Sequence, residues 1–244
     1  MMKKLLILLA LLLPVMAIAS EGGVHLDRAP IDPDNQASLQ RGAKTFVNYC
    51  LNCHSAAYMR YNRLRDIGLS EEQVKDNLLF AGEKVGETMK VAMPKAEAKA
   101  WFGAPPPDLS VEARARTADW LYTYLRGFYR DDTRPTGWNN TVYDKVAMPH
   151  VLWQLQGQQV LRAEETTDAH GNVVHTHKLV LDKPGQLSTA EYDQTVADLV
   201  NYLVYMSEPA KSTRLQLGLI VLLFLSVLFV VAYYLKKEFW KDIH

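Results

Sequence analysis

The run Cys50-Leu51-Asn52-Cys53-His54 constrains this chain more than any other feature. C-x-x-C-H is the attachment signature of a c-type haem, and a fold that carries it must shape itself around a porphyrin. Two thiols three positions apart can form thioethers with both vinyl groups of one haem, while the adjacent His supplies an imidazole nitrogen to the iron. Two other readings compete. A zinc site needs a further Cys or His pair at ligand spacing, and the chain has 2 cysteines in all. A thioredoxin-like redox pair usually follows a strand, whereas this motif ends a helical pattern. The expected cofactor is therefore one haem c, bound covalently through Cys50 and Cys53, with His54 on the iron.

The N-terminal residues have the layout of a secretory signal. Lys3 and Lys4 form a basic start, Leu5 to Val15 an apolar core, and Ala17-Ile18-Ala19 a small-residue cleavage site. Residues 1–19 are read as a signal peptide, with the mature chain starting near Ser20. A second apolar run, Leu215 to Leu235, has about 21 residues and no charge, enough to cross a bilayer as one helix. Lys236, Lys237 and Lys241 follow it, so the positive-inside rule leaves the C-terminus in the cytoplasm. Lys211 and Arg214 weaken that asymmetry, but export of the N-terminus requires the same orientation. The expected layout is a periplasmic domain at 20–210, an anchor at 211–235 and a cytoplasmic tail at 236–244, in a bacterial inner membrane.

The exported segment is large enough for one domain. Of 27 basic and 27 acidic residues, seven basic but only two acidic ones lie outside Ser20–Ala210, which leaves that segment at about minus five. Such a charge can steer a basic redox partner, or it can be a scattered solvating surface. Both cysteines are taken by the haem, so no disulfide is expected.

The spacing predicts a mainly helical domain with long loops. Ser38 is the expected cap of a helix that buries Leu39, Ala43, Phe46 and Val47 and delivers the haem motif. A second helix opens at Ser70, with Glu71 and Glu72 in its first turn. Gly103 to Ser110, with Pro105, Pro106 and Pro107, reads as a rigid loop. Val111 to Tyr129 resumes a helical pattern, with Trp120, Leu121, Tyr124 and Leu125 as apolar contacts. Asp131 to Asn140 is turn-rich. The runs Gln158–Ala163 and Val173–Leu181 flank Asp168–Asn172 as a β-hairpin. Ser188 and Glu191 form a capping box before a helix that buries Tyr192, Val196, Leu199, Val200 and Leu203 and stops near Pro209.

An electron-transfer haem needs a sixth ligand, usually a Met sulfur or a second His. Val-Ala-Met-Pro occurs twice, which puts Met93 and Met148 in the same local setting, and His150 is a third candidate. Spacing alone leaves the three open. His170, His175 and His177 lie around the hairpin, where they read as surface histidines without a Cys or carboxylate partner for a metal.

Taken together, Tyr49 to Ser55, Tyr61-Asn62-Arg63-Leu64, Pro106 to Ser110 with Arg114-Ala115-Arg116, Met148-Pro149 and Ser207-Glu208-Pro209 resemble the cytochrome c1 family in order and spacing. The likeness covers nearly the whole exported domain and the anchor. It implies a single-haem cytochrome c-type domain with one C-terminal transmembrane helix, into which the β-hairpin read from the spacing is an insertion. It implies that Met148, which follows the Pro-Pro-Asp-Leu-Ser segment, is the iron ligand. It implies too that Arg114 pairs with a haem propionate, and Pro106 and Pro107 would wall the haem. Trp120 stands where other members carry a Tyr near the propionates, and His150 where Pro is common.

The function so implied is electron transfer within a cytochrome bc1 complex, from the Rieske iron-sulfur protein to a cytochrome c. The chain is then a carrier rather than an enzyme by itself. The expected partners are cytochrome b and the Rieske protein in a dimeric complex, a cytochrome c acceptor and the membrane, with no nucleic acid. Two rival readings are a stand-alone tethered cytochrome that serves a terminal oxidase, and a haem sensor or enzyme with an open iron position.

Overall fold

The computed structural model describes residues 24–91, 93–167 and 173–241. The signal segment expected at 1–19 and the cleavage site near Ser20 lie outside the described residues.

Helix α1, Gln36–Thr45, carries the haem motif at its end. Its cap is Asn35, not Ser38: the Asn35 side chain accepts from the Ser38 amide at 3.0 Å, satisfying an orphan donor of the first turn. Ser38 sits inside the helix, where its hydroxyl donates to Asp198 at 2.7 Å. A buried carboxylate distant in sequence has taken the side chain that local reading assigned to the cap. Beyond Thr45 the helix widens into a π turn, Phe46–Cys50. The amides of Cys53 and His54 then both reach the Cys50 carbonyl, at 3.0 and 2.8 Å, and fold the motif into a tight turn.

After it come strand β1, Ala56–Arg60, a 3-10 segment, Tyr61–Ile67, and helix α2, Glu71–Asn77. Helix α2 opens on a Ser70/Gln73 capping box. Strand β2, Thr88–Met89, pairs antiparallel with β1, and helix α3 spans Lys95–Phe102. The proline segment that follows is irregular, as three prolines require.

The helical pattern expected from Val111 to Tyr129 is broken in the structure. It forms a short α4, Glu112–Arg116, and a separate α5, Ala118–Arg126. Thr117 between them adopts φ 73° and uses its hydroxyl to cap the Trp120 amide. The pattern also ends early, because Phe128–Arg130 is a strand, β3, paired antiparallel with β4, Trp138–Asn140. Apolar spacing does not register a break when the residue that makes it is an ordinary Thr.

Helix α6, Trp153–Gln156, leads into β5, Gly157–Thr167, which pairs antiparallel with β6, Val173–Pro184. The turn expected at Asp168–Asn172 lies outside the described residues. Gln159 ties the base of this pair to the domain by donating to the carbonyls of Arg126 and Phe128 at 2.9 and 3.0 Å.

Helix α7, Thr189–Ser207, has the Ser188/Glu191 capping box. It buries Tyr192, Val196, Leu199, Val200 and Leu203 in a core that runs from Ala29 to Met206. Helices α1 and α7 form the main helix pair of that core. Helix α8, Lys211–Phe239, includes the candidate membrane span Thr213–Phe239, whose apolar stretch is 0% buried against the protein. Its length and composition suit a bilayer crossing. About half of the described residues are helical.

Candidate functional site

Cys50, Cys53 and His54 face a cavity of about 330 Å³. Each wall comes from a different part of the chain: the motif turn, the proline loop with Pro106 and Pro107, helix α5 with Trp120 and Tyr124, the Met148-Pro149 loop, and Leu199 and Leu203 of α7. The exposed lining is mostly apolar, the character expected of a site for a large planar cofactor.

Hydrogen bonds clamp the proline loop to the motif. Asp108 accepts from the amides of Ala57 at 2.9 Å and Ser110 at 2.8 Å. The Leu109 amide donates to the Ser55 carbonyl at 2.8 Å. The loop's own backbone cannot form a ladder through its prolines, so this carboxylate supplies an acceptor that regular structure would otherwise provide.

His54 shows the result. Its Nδ1 lies 2.8 Å from the Pro107 carbonyl. A carbonyl only accepts, so the bond assigns the proton to Nδ1 and leaves Nε2 with its lone pair. Burial lowers the imidazole below its ordinary value, opposed by the Pro107 bond and the charges of Glu112 and Asp108. A neutral ring with a free Nε2 is the form that binds a metal.

The two thiols carry no sign of redox activation. Burial and the neighbouring Cys53 push Cys50 up to about 12, and burial raises Cys53. Thiol-disulfide catalysts lower the pKa of their attacking thiol instead. Among the described residues no group of three or more His, Cys, Asp or Glu is placed to hold a metal ion.

The structure separates the three sixth-ligand candidates. Met148 lines the cavity, and Met93 does not. His150 is only 2% exposed and lies outside the lining, stacked on Phe128 at 4.7 Å and edge-on to Trp138 at 5.0 Å. Burial brings its pKa down to about 4, so it is a neutral core side chain.

The two arginines are separated as well. Both are exposed, but Arg116 lines the cavity and Arg114 does not. Two residues apart on a helix means about 200° of rotation, which sends the two side chains to opposite sides. Arg116 is held at 3.4 Å from Glu112 and lies over the Trp120 ring at 5.0 Å.

Pro106 and Pro107 both lie in the cavity wall. Sequence reading treated Tyr124 only as an apolar contact, but its hydroxyl donates to the Met148 sulfur at 3.4 Å. Phe102 and Tyr143 also line the cavity, and nothing in their local sequence marks them. His177 is exposed, His175 stands opposite Glu165 in the strand register, and His170 lies outside the described residues. A second cavity, of about 310 Å³, lies beside Arg126. Arg126 there pairs with Asp27 at 2.8 Å and Asp193 at 2.6 Å, and none of the expected site residues is in its lining.

The donor set suits a covalently held, six-coordinate haem: two thiols and one imidazole on a single turn, a thioether on another wall, and apolar faces between. A sequence profile of the Cytochrome C1 family matches residues 28–85 and 82–243. The chain belongs to the cytochrome c1 family. It is 50% identical over 246 residues to cytochrome c1 of Allochromatium vinosum, with 100% of both chains covered. It is 54% identical over 243 residues to a Nitrosomonas europaea protein named ammonia monooxygenase gamma subunit, covering 100% of this chain and 99% of that one. A cytochrome b/c1 of Bradyrhizobium diazoefficiens is 27% identical over 249 residues, covering 88% of this chain and 34% of that longer one.

Proposed function

We propose that this protein is the haem-carrying electron-transfer subunit of a cytochrome bc1 complex. The observation that carries the reading is the meeting of Cys50, Cys53, His54 and Met148 around one mostly apolar cavity. Haem c, when bound, supplies one-electron chemistry by alternation of its iron between ferric and ferrous states.

The residues of the chain set the conditions for that chemistry. Cys50 and Cys53 attach the cofactor through thioethers. His54, oriented by the Pro107 carbonyl, and Met148 would hold the iron. A thioether favours the ferrous state and raises the potential. Pro106, Pro107 and Leu203 exclude water from the cavity. Arg116 takes the propionate role first expected of Arg114, because it is the guanidinium in the lining, and its planar fork suits a carboxylate.

Within this reading the Rieske iron-sulfur protein is the donor, a cytochrome c the acceptor, and cytochrome b the subunit that handles quinol in a dimeric assembly. Residues 1–19 are a signal peptide, 20–210 the periplasmic domain, 211–235 the anchor and 236–244 the cytoplasmic tail. The name of the Nitrosomonas relative points towards oxygen chemistry, which at a haem would need an open iron position. Met148 in the cavity wall, with its sulfur held by Tyr124, favours a closed one.

Purification from membranes in mild detergent, with reduced-minus-oxidised spectra, tests the reading. A c-type haem with a sulfur-to-iron charge-transfer band, co-purifying with cytochrome b and a Rieske protein, is the expected result. Absence of both partners would leave a stand-alone tethered cytochrome, and rapid carbon monoxide binding to the intact ferrous protein would indicate an open site. Met148→Leu is expected to abolish the band, and Met93→Leu to leave it intact.

A further inference from the structure

Met148 and Tyr124 make a contact that the proposed function does not require. The Tyr124 hydroxyl donates to the Met148 sulfur at 3.4 Å, and both residues line the cavity. The phenol has little freedom to leave. It stacks on Trp120 at 4.8 Å with 12° between the planes, and meets the edge of Phe128 at 5.1 Å. The Tyr124 carbonyl accepts from the side chain of buried Asn140 at 2.8 Å, which fixes the end of α5 beneath the ring. The tyrosine is therefore held by three neighbours, whereas Met is the most adaptable of core side chains.

A thioether sulfur has two lone pairs and is a weak acceptor. When one lone pair accepts a hydrogen bond, only the other is left to coordinate. The two choices are mirror-related at sulfur, so a donor on one side selects the configuration of the ligand. The same bond draws electron density from the sulfur and makes it a poorer donor, which disfavours ferric iron more than ferrous iron.

We propose that Tyr124 is a positioning residue for the Met148 thioether, selecting which sulfur lone pair faces the cofactor and raising its reduction potential. The proposal rests on the reading of Met148 as the sixth ligand. Trp120 serves it indirectly, as the flat surface against which the phenol is held.

The test is Tyr124→Phe in the full-length protein within its purified complex, with Tyr202→Phe as the control. Tyr202 also directs its hydroxyl at a Met sulfur, that of Met89 at 3.8 Å, but neither residue lines the cavity. In Tyr124→Phe the sulfur-to-iron band is expected to persist at a shifted position, and the midpoint potential to fall. The proton resonances of the Met148 methyl group are expected to show a second sulfur configuration. Tyr202→Phe should leave all three unchanged. A Tyr124→Phe protein with the wild-type band, potential and resonances overturns the proposal while the ligand reading stands. Equal shifts in both variants overturn it too, since they would report loosening of the core. Failure of the ligand reading has a separate signature, a wild-type band that survives Met148→Leu.

Discussion

Gly42 of α1 and Asp198 of α7 meet backbone to backbone: a Cβ on Gly42 would lie 2.0 Å from the Asp198 carbonyl oxygen and 2.7 Å from the Tyr202 Cβ. No side chain can move aside to make room, because the obstacle is helix backbone. The Asp198 side chain locks the same contact, accepting from Ser38 at 2.7 Å and from Arg41 at 2.6 and 3.0 Å. Helix α1 is thereby pressed against α7 two turns before Cys50, so this contact helps set where the motif enters the cavity.

Gly42→Ala is accordingly expected to cost on the order of 1–3 kcal/mol, the usual penalty for overpacking a tight contact. Thermal melting of the full chain in detergent, followed by circular dichroism, checks this. An unchanged melting temperature would falsify the backbone contact. A secondary expectation is slower covalent haem incorporation, since displacement of α1 moves the motif turn.

Arg114 and Arg116 give a paired prediction about the cofactor. Removal of a positive charge beside the haem stabilises the ferric form, so Arg116→Gln should lower the midpoint potential. Arg114→Gln, outside the cavity lining, should leave it near the wild-type value. Redox titration of the two variants under the same salt conditions decides the matter. The opposite pattern would return the propionate role to Arg114.

The alkaline limb of stability is expected to depend on buried tyrosines. Tyr192 donates to the Leu125 carbonyl at 2.9 Å between α7 and α5. Burial raises both Tyr192 and Tyr202 above the ordinary value near 10. Above that pH the unfolded chain releases protons that the folded chain keeps. The contribution of these tyrosines is thus constant below pH 10 and falls as pH rises beyond it, at on the order of 1 kcal/mol per pH unit for each. Tyr192→Phe should be less stable at neutral pH by about 1 kcal/mol, from the unpaired Leu125 carbonyl. It should also show a shallower alkaline decline in urea midpoints measured from pH 8 to 11, and a slope equal to wild type would rule out Tyr192 as a contributor.

Local pattern carried much of the fold. The capping box at Ser188, the apolar face of α7, the apolar length of α8 and the punctuation of the proline loop all depend on residues a few positions apart, and periodicity reports them directly. It failed where a distant partner or an unmarked backbone change intervened. Ser38 was drawn from its expected cap by Asp198, and Thr117 broke one helical run into two without a Gly or Pro to announce it. That break also bears on the site, because it isolates α4 as a short helix on which Arg116 rather than Arg114 lines the cavity.

What the amino-acid sequence determined by itself was the chemistry at hand: two thiols and an imidazole at haem-attachment spacing, an apolar helix at the C-terminus and an order of motifs that resembles one family. These are properties of neighbouring residues, and no folding is needed to read them. Spacing left Met148 and Met93 equal in their shared four-residue setting and only the order of motifs favoured Met148; the tertiary structure put Met148, and not Met93, in the cavity wall and withdrew His150 into a stack between Phe128 and Trp138. It alone brought Tyr124 to the Met148 sulfur. Selection among chemically equal side chains depends on which of them the packed helices and loops bring to a common cavity, and that is decided by contacts between residues far apart in the chain.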